Sequence, residues 1–156
     1  MQYVRDFFTN YMMISVISSW IIAQILKGIT GVFKLKKFTL IEFFFGTGGM
    51  PSSHTASVMA LATSAAISFG FNSAVFAISA LLAMIVIRDA TGMRHEVGVH
   101  ARTLNMILKE FNEGKETAEE ALKELVGHTP LQVFFGAILG IIVPIIMQFI
   151  PVFTVI

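Results

Sequence analysis

The sequence predicts an all-α integral membrane protein: a helical bundle of about four transmembrane helices, with an amphipathic helix on its cytoplasmic side. Three observations predict it. Only 13% of the 156 residues are charged while 55% are hydrophobic, against roughly 25% charged in soluble domains. Mean hydropathy is +0.77. Four segments approach the ~20 mainly apolar residues that a helix needs to cross the hydrocarbon core. So small a charged share cannot cover a surface that faces water on all sides, so lipid must face much of it.

The length suits a single membrane domain over residues 1–156. The first span is expected over roughly 11–33, with Gln24 and Lys27 near its end. The second covers roughly 53–71, and the turn Gly70-Phe71-Asn72-Ser73 separates it from the third, roughly 73–90. The fourth covers roughly 131–150. It carries Gly136-x-x-x-Gly140, a spacing that lets two helices approach closely, and Pro144, which is expected to kink it. No small-residue cleavage site follows the first apolar run, so a cleavable signal peptide is not expected.

Two loops, roughly 34–52 and 91–130, connect the spans on one side. The first begins basic, continues through the Phe-rich stretch Phe38 to Phe45, too short to span and read as interfacial or re-entrant, and ends in glycines. In the second, Glu110 to Val126 reads as an amphipathic helix, with Thr117 and Glu120 as a capping box and Gly127 as its stop. Ten of the eleven Lys and Arg residues fall on the side of these loops, and only Arg5 on the other. Positive charge stays inside, which places the long loops in the cytoplasm, the termini outside and the protein in the plasma membrane.

Composition excludes several chemistries. With no cysteine there is no disulfide, thiolate nucleophile or Cys-ligated metal. A net charge of +1 carries no nucleic-acid signature. The four histidines show no metal-ligand spacing such as His-x3-His, so no metal and no cofactor are expected.

Two clusters carry the chemistry that remains. In Gly46-Thr-Gly-Gly-Met-Pro-Ser-Ser-His54 a glycine-rich turn leads through a proline and two serines into an apolar helix. Free amides and the positive end of the helix dipole make such a start an anion site. Gly48 and Gly49 would offer amides, Ser52 and Ser53 hydroxyls, and His54 a proton for a leaving oxygen. A plain capped helix start with an incidental histidine is the competing reading. The second cluster, Arg88 to His100, follows directly on the third span. Ionisable groups at that depth usually face an interior site, although they also snorkel from a helix end. Arg94 and His100 would diverge by ~120° on one helix and would converge only if the chain turned at Gly98. His95, seven residues from Arg88, is the competing histidine. Lys27 and Lys34 are either interfacial anchors or further phosphate donors.

These blocks, with Gly127-His-Thr-Pro130 before the last span, resemble the divergent type 2 phosphatidic-acid phosphatase family, related to acid phosphatases and vanadium-dependent haloperoxidases. The resemblance covers roughly Trp20 to Gly140. Against the wider superfamily, Lys27 and Lys34 keep the spacing of a Lys-x6-Arg-Pro motif, with Lys for Arg and Leu35 for Pro. Pro51-Ser52-Ser53-His54 stands for Pro-Ser-Gly-His. Arg94 and His100 keep the Arg-x5-His core of the third motif, while Met93 and Leu104 replace its serine and aspartate.

The resemblance implies His100 as the nucleophile and His54 as the proton donor, with Arg94, Lys27 and Lys34 on the phosphate oxygens. A nucleophilic histidine needs a partner for its second nitrogen, and Asp89 or Glu96 stands in for the missing aspartate. Asp89 is itself the alternative attacking carboxylate. The implied activity is hydrolysis of a phosphate monoester or diphosphate on a lipid or isoprenoid, drawn from the membrane. The alternative is a non-catalytic protein that binds or carries phosphorylated lipid. A homodimer is plausible, since short spans leave much outward-facing surface.

Overall fold

A computed structural model describes residues 2–32, 49–111 and 129–151. All secondary structure among them is helical. A short helix, α1 (Gln2–Thr9), leads into α2 (Tyr11–Val32). Then come α3 (Ser53–Phe69), α4 (Ala74–Thr91), α5 (Met93–Phe111) and α6 (Pro130–Met147).

The bundle is built around α3, which packs against α2, α4 and α6. Its sequence explains that position. Ala56, Ala60 and Ala65 are wholly buried, as are Thr55 and Ser64, so neighbouring backbones can come close on several faces. On the other side of one such contact, a Cβ added at Gly136 would lie 2.5 Å from the Ser52 carbonyl oxygen, and one at Gly140 would overlap the Ala56 carbonyl. The Gly136-x-x-x-Gly140 spacing is therefore a helix contact: Gly136 meets Ser52 and Thr55 at the start of α3, and Gly140 meets Ala56, Met59 and Ala60. Pro144 lies buried within α6, which continues to Met147, and its carbonyl accepts the Tyr11 hydroxyl at 2.7 Å. Tyr11, Val143 and Met147 form the apolar cluster at that end.

The interior is small and polar, and the outside is apolar. Ser15, Ser19, Gln24 and Lys27 of α2 are buried, while Ile78, Met84 and Ile146 are 69%, 67% and 60% exposed. In water this arrangement would be unstable; in lipid the apolar exterior is the solvated one. Among the described residues three helices are long and apolar enough to cross a membrane, over Tyr11–Thr30, Ala74–Thr91 and Pro130–Met147. The expected second span is α3, which has 17 residues and so reaches about 25 Å against a core of about 30 Å. Length and hydropathy thus identify three candidate spans, and α3, the expected second span, is a little shorter than these. The helix enclosed by its neighbours has no need of an apolar surface, which is why hydropathy singles it out least.

Side chains the sequence supplies cap the starts of α3, α4 and α6. Ser52 caps α3, its Oγ accepting from the Thr55 amide and hydroxyl at 3.4 and 3.1 Å. Ser73 caps α4 by accepting from the Phe76 amide at 3.1 Å. Thr129 and Gln132 form a complete capping box on α6. Gly92 separates α4 from α5. The expected helix Glu110 to Val126 lies, beyond its first two residues, outside the described residues, as does the Phe-rich stretch before Gly49.

Candidate active site

Because α3 and α4 run antiparallel, the end of α4 and the start of α5 lie at the same end of the bundle as the start of α3. The end of α2 and the start of α6 meet there too, held to the turn before α3. The glycine-rich turn and the charged cluster, over thirty residues apart in sequence, thus share one end of the molecule.

The turn before α3 is fixed from two sides. On the α2 side, the Thr30 hydroxyl donates to the Met50 carbonyl at 2.7 Å and accepts from the Met50 amide at 3.2 Å. On the α6 side, the Gln132 side-chain amide donates to the Gly49 carbonyl at 3.0 Å, and the Ser52 amide donates to the Gln132 carbonyl at 2.9 Å. The same Gln132 side chain accepts from the Thr129 amide at 2.8 Å. One residue thereby caps α6 and tethers the turn of α3. The Met50–Pro51 peptide is cis, and Gly49 has φ +101°. A Cβ at Gly49 would also meet Lys27 Cγ at 2.9 Å, so the lysine stem lies directly over this glycine.

Lys27 is only 8% exposed, and Ser52 and Ser53 are 1% and 2% exposed. The stem of buried Lys27 thus lies beside the turn that leads into the positive end of the α3 dipole. This is an arrangement that an anion stabilises. His54, in the first turn of α3, is exposed and makes contacts of its own. It stands at the surface of this end while the serines and Lys27 lie inside it.

The second cluster stands on α4 and α5. Arg88, Asp89 and His100 line one cavity of about 890 Å³, together with Gly92 and Val97. Asp89 is half-buried, and His100 is exposed. Arg94 and His95 fall in the first turn of α5, and their side chains lie outside the described ones. The helix is unbroken from Met93 to Phe111. The turn occurs at Gly92, and Gly98 is helical, so positions 94 and 100 remain separated by ~120° around one axis. Lys34 and Gly48 lie outside the described residues. Among the described residues no group of three or more His, Asp or Glu side chains is placed to hold a metal ion.

The structure thus groups Lys27, Gly49, Ser52 and Ser53 around the start of α3, and Asp89 with His100 between α4 and α5. Sequence reading did not single out Thr30 or Gln132. A capping-box pattern, Thr129-x-x-Gln132, is visible in the sequence; the bond from Gln132 to Gly49 is not, because 83 residues separate them.

Comparison with known proteins agrees with this architecture. The Divergent PAP2 family matches residues 8–143. The membrane protein YuiD of Bacillus subtilis (strain 168) is 36% identical over 155 residues, covering 92% of this chain and 98% of that protein. No solved structure matches. The chain belongs to the Divergent PAP2 family and is a membrane protein with transmembrane helices.

Proposed function

We propose that this member of the Divergent PAP2 family hydrolyses a phosphate ester of a membrane lipid at the cytoplasmic face of the plasma membrane. The observation that carries the reading is the meeting, at one bundle end, of a tethered helix start backed by buried Lys27 and a cavity lined by Arg88, Asp89 and His100. The orientation rests on the excess of Lys and Arg on that side.

In the proposed reaction, the amide of Gly49, the Ser52 and Ser53 hydroxyls and Lys27 hold the phosphoryl oxygens. Gly48 joins them from the glycine-rich turn, and Lys34 and Arg94 by resemblance. Fixed donors and cations of this kind stabilise the charge of a transferring phosphoryl group. An imidazole nitrogen of His100 attacks phosphorus, and the bond to the lipid oxygen breaks. His54 delivers a proton to that oxygen, and the lipid leaves as an alcohol. Water then attacks the phosphohistidine, with His54 taking its proton, and inorganic phosphate departs. Asp89, on the same cavity as His100, supplies the carboxylate that Leu104 cannot, holding the imidazole in its attacking tautomer.

Phosphate release from short-chain lipid phosphates in detergent tests the proposal. Wild type is expected to release phosphate, with His54→Ala reduced by roughly 10²–10⁴-fold. Equal inactivity of both proteins across a broad substrate panel would sink it. A second reading, a non-catalytic carrier of phosphorylated lipid, is favoured by the unbroken α5, which keeps positions 94 and 100 apart. Binding without turnover is its signature, and a trapped phosphoenzyme excludes it.

A further inference from the structure

Besides the cavity beside α5, a second cavity of about 920 Å³ runs along the bundle. Both α4 and α6 pack on α3 but scarcely touch one another. The space between them is therefore a groove with α3 as its floor and α4 and α6 as its walls. Small side chains keep it open: Ala62, Thr63 and Ala66 on α3, Ala80 and Ala83 on α4. Its rim faces lipid, since Met84, Ile141 and Ile145 line it and are themselves exposed.

The two ends differ. At one end Phe71 and Phe76 stack edge to face, with centroids 5.0 Å apart. At the other, at the level of the active-site end, stand Arg88 and Thr91. From Phe76 to Thr91 the helix rises about 22 Å. One leaflet of the hydrocarbon core is about 15 Å deep. The groove is thus long enough for an entire acyl chain of an ordinary membrane lipid. Arg88 also lines the cavity that holds Asp89 and His100. With Met84 it is common to both spaces, and it is the charged one of the two.

We propose that this groove takes one fatty-acyl chain of a lipid phosphate and that Arg88 holds the phosphate, delivering the ester to the cavity beside α5. This deepens the phosphatase reading and takes its substrate class from it. An apolar trough with one cation at its end matches a hydrocarbon chain with one anion at its end. The aromatic pair closes the far end and limits the chain length that fits.

Native mass spectrometry of the full chain in detergent tests this without needing turnover. The probes are monoacylglycerol phosphates from octanoyl to stearoyl, the uncharged monoacylglycerols, and a long polyprenyl phosphate. Affinity is expected to rise with acyl length in wild type. Ala80→Phe, partway along the groove, should flatten that rise while leaving octanoyl binding intact. Where this variant does not give a monodisperse protein, Ala66→Leu narrows the groove from α3 instead. Arg88→Gln should weaken the phosphates by roughly tenfold to a hundredfold, without changing the uncharged lipids.

An unchanged length dependence in both groove variants, or phosphates indifferent to Arg88→Gln, overturns the proposal. Tighter binding of the polyprenyl probe overturns the acyl assignment. Phosphate release, measured on the same proteins, separates the two readings. The expected binding pattern without release removes the phosphatase reading and leaves the groove. Release without length dependence removes the groove and leaves the phosphatase reading.

Discussion

The two flanks of α3 are built on opposite terms. Toward α2 and α6 the contact is tight: glycine meets backbone carbonyl at Gly136 and Gly140, and the turn before α3 is bonded to both neighbours. Toward α4 the contact leaves open space. Only Ser79, Ala83 and Ala90 of α4 are buried, and a cavity lies on each side of that helix. The contrast suits a division of labour. Phosphoryl chemistry needs donors held in place, whereas a lipid substrate needs a way in from the bilayer. The rigid flank carries the first and the open flank the second.

The largest effect expected from breaking this contrast comes from one methyl group. Gly140→Ala drives a Cβ into the Ala56 carbonyl and against Met59. Backbone cannot step aside as a side-chain tip does, so the cost should reach the upper end of the about 1–3 kcal/mol of overpacked cores. The same kind of enlargement on the open flank, Ala80→Val, should change stability by less than about 0.5 kcal/mol. Thermal unfolding in detergent compares them. Equal costs would mean that the flanks do not differ in packing.

Next is Lys27→Met, which keeps the stem over Gly49 and removes the cation. Phosphate affinity should fall roughly tenfold to a hundredfold, measured by calorimetry with inorganic phosphate, while the folded structure persists. A smaller loss is expected from Gln132→Ala. It deletes the capping-box acceptor and the donor to Gly49, for about 1–2 kcal/mol of stability. Faster amide exchange should appear at Gly49 to Thr55 in the same variant, and not in α4.

Much of the rigid flank is legible in the sequence. Pro51-Ser52 before an apolar run marks a capped helix start, Gly49 marks a turn, and Gly136-x-x-x-Gly140 marks a close approach. These are local signals, each set by backbone conformation or by the absence of a side chain. What joins them is not local: Thr30 and Gln132 reach the turn from helices 20 and 83 residues away. The open flank is less legible. A glycine within a basic stretch suggests a break at Gly98, yet Gly92 takes the break and Gly98 is helical. One turn of α4 carries both the last apolar residues of a span and the charges of a site, so Arg88 reads equally as an anchor and as a ligand-binding group. Hydropathy marks α3 least among the four expected spans for a related reason: it is shielded by its neighbours, so its surface is chosen for close packing.

The claim on which the rest depends is that the start of α3 is an anion site. Titrating the isotopically labelled protein in detergent with inorganic phosphate, and following backbone amides by nuclear magnetic resonance, tests it most directly. Saturable shifts at Gly49, Ser52, Ser53 and His54, lost in Lys27→Met, are the predicted result. Shifts confined to α5, with the start of α3 unmoved, would contradict it.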